Sequence, residues 1–381
     1  MDILNFISWI KGKRVLTTFE PNTALLPIGI KDKKRDDGYL AVAMTVEDFA
    51  NTILYEPTNQ FFVDPNRTDS YVENGSIITP FKTISAAQSA INNLIAEGVT
   101  IATELNPAFI RLQGVITEDV TLTKGHIFLI GENGSIANPI YLIGTITVNG
   151  DDTSASALDN NHFSIQGITV SPNGNNNGIV FTGSNAQRLS LENIWIQVGG
   201  AGTGILCNNT GVRISDGFKS RCYGTQIKIS HTGSGNIYCF NIIKGSADFT
   251  FVDTSGATKV AVVQTGATLS FVQSQLNAKN EACLEVYGTG ILSVTQSTIS
   301  NLFGSTACYG IWLHDIGSVA NVGQSLFQVS SANINSRAVH GILGTAFFYA
   351  YNAYYPGAFT DKVDAVIGAG LIPVDTSFTT V

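Results

Sequence analysis

Acidic side chains that could do chemistry are sparse in this 381-residue sequence. Seven fall between residues 160 and 350: Glu192, Asp216, Asp248, Asp253, Glu281, Glu285 and Asp315. Cleaving a glycosidic bond takes two positioned carboxyls, roughly 5 to 9.5 Å apart depending on mechanism. Two pairings are candidates: Glu285 with Asp315, on neighbouring repeats, and Asp248 with Asp253, close together in one segment. Aligning Gly290 with Gly317 puts Asp315 three positions past the equivalent of Glu285. Odd offsets point side chains to opposite faces of a regular strand, which counts against both pairs. These four residues are the catalytic candidates, and isolated, solvated carboxylates are the expectation for them.

The other reactive side chains form no constellation. His126, His162, His231, His314 and His340 are scattered, with no H-x-x-x-H pair, and are expected as lone surface or turn histidines. Asp64, Asn66 and Asp69 miss the D-x-[DN]-x-[DN]-G spacing of a calcium loop. No G-x-G-x-x-G or Walker loop follows a strand, so no nucleotide, metal or other cofactor is expected. Cys207, Cys222, Cys239, Cys283 and Cys308 include no C-x-x-C pair and are expected as buried free thiols. The intervals from Cys207 to Cys222 and from Cys222 to Cys239 are too short for the repeat described below, so those thiols need not stack.

Composition narrows the class. Lys+Arg 21 against Asp+Glu 29 gives a formal net charge of −8, and charged residues are only 13%, about half of the roughly 25% of an average globular protein. A protein that coats nucleic acid needs a basic excess, which is absent. A disordered chain is charge-rich and poor in Val, Ile and Phe, the reverse of this one. The apolar run Met1–Ile10 is too short to span a bilayer, and Lys11, Lys13 and Arg14 follow it rather than precede it as a signal core requires. No membrane span is read anywhere. The remainder is a large ordered β-protein, secreted or exposed on a virion.

The elements that must position any site are short repeated strands. Phe163-Ser164-Ile165-Gln166-Gly167-Ile168-Thr169-Val170 aligns without gaps with Leu189-Ser190-Leu191-Glu192-Asn193-Ile194-Trp195-Ile196. Val212 to Gly217 reads as the next copy. Leu269 to Ser274 aligns with Leu292 to Ser297 at the same spacing as Leu189 and Val212, and Val319 to Ser325 is a looser third copy with an insertion. A period in the low twenties with no room for helices means a β-solenoid, with inward Ile, Leu, Val and Phe stacked from coil to coil. Coiling from 108 to 350 at about 24 residues per turn gives about ten turns, a shaft on the order of 50 Å long at roughly 4.8 Å each.

Upstream of the coils, Phe62-Val63-Asp64-Pro65-Asn66, Asp69, Asn74-Gly75-Ser76 and Thr79-Pro80-Phe81-Lys82-Thr83-Ile84 lead into a helix. Ser85 with Gln88 reads as its capping box, Ile84, Ala87, Ile91, Leu94 and Ile95 as its apolar stripe, and Gly98 as its stop. This "V-D-P … D … N-G-S … P-F-K-T-I … A" opening resembles that of pectate-lyase-like right-handed parallel β-helix proteins, especially bacteriophage spikes and fibres. The match covers residues 61 to 97 by motif and the rest only by repeat character. The resemblance implies a first strand and a helix that caps the open end of the coil, and commonly a homotrimer. It carries over no catalytic residue. Asn209-Thr210-Gly211 stops short of the polygalacturonase N-T-D signature, and no G-H-G or R-x-K occurs in the coil region.

The two ends differ from the shaft. Ile3, Phe6, Ile7 and Ile10 form one stripe of a short amphipathic helix that must dock on something. An irregular run to Ile30 follows, then a solvated charge cluster from Lys31 to Asp37, and Thr45 with Asp48 opens a second short helix through Ile53. At the other end, the aromatics from Phe347 to Tyr355, with Tyr349, Tyr351, Tyr354 and Tyr355 among them, read as a cap, a subunit interface or a sugar-stacking platform. The expected organisation is an all-β, right-handed parallel β-helix. Residues 1–60 form a virion-anchoring arm, 61–107 the opening strand and capping helix, 108–346 the shaft, and 347–381 a C-terminal aromatic cap or interface. The expected role is that of a tail-fibre or tailspike protein on the virion exterior, at tail or baseplate. Its partners would be other virion proteins through the arm and a host surface polysaccharide through the shaft. A polysaccharide lyase or glycosidase, and a capsid or baseplate decoration protein without host contact, remain as alternatives.

Overall fold

Apolar and polar residues alternate with a period of two through most segments after Asn59, and those segments fold as strands. The computed structural model describes residues 25–31, 39–45 and 59–351, apart from 132–139, 155, 212–219, 234–237, 280–281, 302–306, 330–334 and 342–346. The helix stripe Ile3, Phe6, Ile7 and Ile10, most of the charge cluster, and Tyr354 and Tyr355 lie outside the described residues.

The chain divides into two units, Met1–Thr58 and Asn59–Val381. In the first, Leu25–Lys31 pairs antiparallel with Tyr39–Thr45, Leu25 opposite Thr45. From Leu25 on, the run to Ile30 is therefore not irregular. Leu26, Ile28 and Ile30 alternate with the residues between them, and Pro27 fits because both strands of a two-stranded ribbon are edges. Thr45 closes a strand, and residues 46–53, read as a helix, lie outside the described residues.

The second unit is a parallel β-helix. Its strands form one seventeen-stranded and one nine-stranded sheet, and each described pairing within them is parallel. Three faces result. Strands from Gln60–Val63 to Phe347–Tyr351 stack on the first, and shorter strands after a corner form the second. The nine-stranded sheet, from Val120–Leu122 to Arg337–Gly341, is the third. The expected copies at 163, 189, 269 and 292 pair in register, Phe163 with Leu189 and Leu269 with Leu292. The copy read at Val212 to Gly217 lies outside the described residues, and the described partner of Leu189 on the next coil is Cys222, beyond it. Sequence spacing misled there because coil length varies with the excursion between strands. Ala108 to Ile127 is a short coil, and Phe128 to Ser164 is a long one.

The first corner is made by one residue per coil in the left-handed region: Gly167, Asn193, Gln226, Phe251, Gln273, Gln296 and Gln324, with φ from 48° to 66°. For a residue with a Cβ that conformation costs roughly 1–2 kcal/mol. Buried serines directly after three of these residues steady the turn. Ser274, Ser297 and Ser325 accept from Val252 N, Ser274 N and Ser297 N at 3.0–3.2 Å, and each donates back to the carbonyl two residues earlier.

Inside, residues of all three faces form one hydrophobic cluster, with Phe240, Phe249 and Phe271 in mutual ring contact at 4.8–6.2 Å. All five cysteines are buried, as expected. Helix Ile84–Ala96 adds Ile84, Ala87 and Ile91 to the same cluster and packs on strands Gln60–Val63 and Ala108–Leu112. Its N-cap is Thr83, whose hydroxyl accepts from Ala86 N at 3.1 Å, not Ser85. The backbone N–H groups of Ile84 and Ser85 donate instead to the Glu118 carboxylate at 2.8 and 2.9 Å, and the Gln88 amide donates to Thr121 O. Gly98, at φ 86°, follows the helix as expected.

Candidate functional site

Along strand Ala282–Val286, Leu284 and Val286 face the core, which turns Glu285 outward. The register places Val262, Glu285, Trp312 and His340 on four successive coils of the third face. Residues two positions along a strand share a face, so Tyr287 joins Glu285 and His314 joins Trp312. A row of rings results. Tyr287 stacks on His314 at 4.0 Å and 7°, and His314 on Trp312 at 4.1 Å and 24°. Trp312 meets Tyr309 edge-on at 5.1 Å, and Tyr309 stacks on His340 at 4.3 Å. All five rings are half-buried, each keeping some exposed surface.

Glu285 lies beneath this row, only 1% exposed. Its Oε1 is 2.8 Å from Lys259 Nζ and 3.6 Å from His314 Nε2, and Tyr287 Oη donates to its Oε2 at 3.1 Å. Burial pushes the carboxyl up, but the His314 and Lys259 contacts outweigh it and hold Glu285 below its ordinary value. Burial, then the neighbouring Glu285 charge, pushes the Tyr287 hydroxyl well up, so it stays protonated and donates. Polar satisfaction is incomplete. Oε1 has its ion pair with Lys259 but no hydrogen bond of good direction, and the buried His314 Nε2 and Asn241 Oδ1 have no hydrogen-bond partner among the described residues. Asn241 is in register with Val262 and so lies two coils before Glu285. Glu285 Oε1 and His314 Nε2 thus face each other beneath the rings, and the partly exposed rings are the surface this site offers to a ligand.

The structure separates the four sequence candidates. The register bears out the odd offset, since Glu285 pairs with Trp312. Asp315 lies beyond the end of strand Tyr309–Leu313, exposed, and its Oδ2 accepts from Gly288 N at 2.8 Å. Glu285 is thus neither isolated nor solvated. Asp248 pairs with Arg221 at 2.8 Å. Asp248 and Asp253 both reach the outer surface in spite of their odd offset, because the left-handed Phe251 between them resets the alternation. They stand on different faces. No contact joins two of the four carboxylates among the described residues.

Nor are the histidines lone surface groups. His314 and His340 belong to the ring row, His126 and His162 are ring neighbours at 6.0 Å, and His231 is buried. Strand Phe347–Tyr351 pairs with Val319–Gly323, which puts Tyr349 opposite Asn321 and Tyr351 opposite Gly323. Lys259, Tyr287, Tyr309 and Trp312 escaped the sequence reading, and His314 and His340 were read there as lone histidines. The signal was available in the Gly290–Gly317 alignment, which already sets Tyr287 against His314.

No protein-family model matches the chain, and no curated protein does. Solved structures resemble it in fold. Pectate lyase Pel9A is similar at 15% identity and a TM-score of 0.44, over 84% of either chain. The A-module of the Azotobacter vinelandii mannuronan C-5 epimerase AlgE4 is similar at 13% identity and 0.42, over 75% of this chain and 95% of that one. Tailspike protein 3 of bacteriophage CBA120 is similar at 14% identity and 0.33, over 98% of this chain and 70% of that one.

Proposed function

We propose that this chain is a bacteriophage virion protein of the tail-fibre or tailspike type, which contacts a host surface glycan through the outside of its β-helix. Residues 1–60 hold it to the particle at the tail or baseplate, three copies assemble, and the helix Ile84–Ala96 closes the first coil. The observation that carries the glycan role is the ring row from Tyr287 to His340 over the Glu285–Lys259 pair. The partly exposed aromatic rings supply stacking area for the apolar faces of sugar rings. The phage setting rests on the opening motif at residues 61–97 followed by a stiff, weakly charged coil.

Competition tests this reading. Purified protein should bind host cells saturably and block adsorption of its own phage. Trimming residues 1–60 should leave a folded shaft that still binds cells but no longer joins particles. Absence of binding by correctly folded protein points instead to a decoration role.

One observation favours a second reading, a depolymerase. Lys259, Tyr287 and His314 are proton-transfer groups gathered around one carboxylate, an arrangement closer to the needs of a lyase than to a two-carboxylate glycosidase. That reading requires new unsaturated ends when host glycan is incubated with the protein, and their loss in Glu285→Gln.

A further inference from the structure

We propose a second glycan-contact strip, on the second face of the coil and separate from the Glu285 cluster. It deepens the glycan-binding reading above and rests on it. The backbone register lines up Val115, Tyr141, Thr169, Trp195, Lys228 and Asp253 on six successive coils. Tyr141 and Trp195 are half-buried, Thr169 between them is buried, and Val115 is 43% exposed. Val115, Tyr141 and Trp195 therefore put apolar and aromatic surface into an outward row whose other exposed members, Lys228 and Asp253, are charged.

Trp195 is held in a fixed pose. Its Nε1 donates to Ser230 Oγ at 3.2 Å, and Lys228 Nζ lies 5.0 Å from the ring centroid. The next row, two residues along each strand, presents Ser171, Gln197, Ser230 and Ser255, uncharged hydroxyls and an amide none of which is buried. Phe251 stands at the adjoining corner. It adopts φ 55° and is 52% exposed, in a ladder whose other members are Gly, Asn and Gln. A bulky side chain in that conformation gives up stability, and exposing it gains nothing within this chain. A use outside the chain accounts for both features.

The chemistry identifies the occupant as an extended polysaccharide lying along the coil axis. Ring faces take the apolar faces of pyranoses, and the hydroxyl and amide row takes their hydroxyl groups. Successive coils are about 4.8 Å apart, close to the length of one pyranose in an extended chain. Lys228 and Asp253, adjacent in register, would set orientation at one end of the strip.

The test uses the full-length protein on an array of bacterial capsular and lipopolysaccharide glycans, then equilibrium binding to the glycans it retains. Trp195→Ala and Phe251→Gly should each weaken binding about tenfold, the effect of losing one stacking ring. Melting curves separate structure from contact: Phe251→Gly should melt no lower than the parent, because glycine accepts the left-handed corner. Unchanged affinity in both variants, with binding still lost in Trp312→Ala, overturns the strip and leaves the glycan-binding reading intact. Retention of no glycan by the parent protein overturns both.

Discussion

Two ion pairs on the β-helix, Glu285–Lys259 and Asp248–Arg221, have the same 2.8 Å separation and opposite surroundings. On the third face the side chains are 1% and 13% exposed; on the first they are 33% and 56% exposed. The exposed pair is screened by water and contributes little, as such pairs generally do. Two charges taken out of water under a row of rings cost several kcal/mol each before their attraction offsets it. A packed hydrophobic pair would serve stability as well. The difference separates ordinary surface decoration from a place where the chain keeps charge, hydrogen-bonding capacity and aromatic surface together at a cost in stability.

The largest expected effect breaks the buried pair. Lys259→Ala leaves Glu285 uncompensated and should destabilise by about 3–5 kcal/mol, read as a fall in the denaturation midpoint. The double variant Lys259→Met/Glu285→Leu should recover most of that loss. A cost for Lys259→Ala no greater than for Arg221→Ala would erase the contrast between the two regions.

Acid comes next. His231, 4% exposed, makes a hydrogen bond from Nε2 to Tyr238 O at 3.1 Å while its Nδ1 is buried without a partner among the described residues. Burial lowers its pKa from 6.5 to about 4, and His162 is lowered to about 4 for the same reason. The unfolded chain therefore takes up these protons first. Stability should be complete above about pH 6.5 and fall as pH drops toward 4, by up to roughly 3 kcal/mol for His231 at 1.36 kcal/mol per unit. Glu285, held below its ordinary value, adds a further loss below about pH 4.5. Denaturation at several pH values, with NMR titration of His231, checks the window; a flat profile from pH 7 to 4 contradicts it.

Smaller effects sharpen the comparison. Ser297→Ala removes the acceptor for Ser274 N inside the corner, and should cost about 1–3 kcal/mol. Gln296→Gly, at φ 51°, should be neutral or slightly stabilising, while Gln296→Val should lose about 1–2 kcal/mol. Arg221→Ala should change the midpoint by less than about 1 kcal/mol.

Much of the coil was legible because its inward residues repeat. Phe163, Leu189, Leu269 and Leu292 announce the stack, whereas the corner at Gln273, Gln296 and Gln324 went unread, because a left-handed conformation is invisible in a residue type that rarely adopts it. The copy at Val212 misled because register follows pairing and not spacing, and excursions lengthen a coil without changing its strands. The Glu285 site was legible only in part. A search for paired carboxylates found Glu285 and missed its partners, because Lys259 and His314 reach it from neighbouring coils, far from it along the chain. Reading the aligned repeats across rungs, instead of along the chain, brings Tyr287 to His314 and Trp312 to Glu285.

The central claim is that the ring row over Glu285 is a glycan-binding surface, and Trp312 tests it most directly. Equilibrium binding of labelled parent protein and Trp312→Ala to host cells should show saturable binding for the parent. The variant should bind at least about tenfold more weakly, with the melting midpoints of the two proteins close together. Equal binding by the folded Trp312→Ala protein would contradict the claim and return the row to a purely structural role.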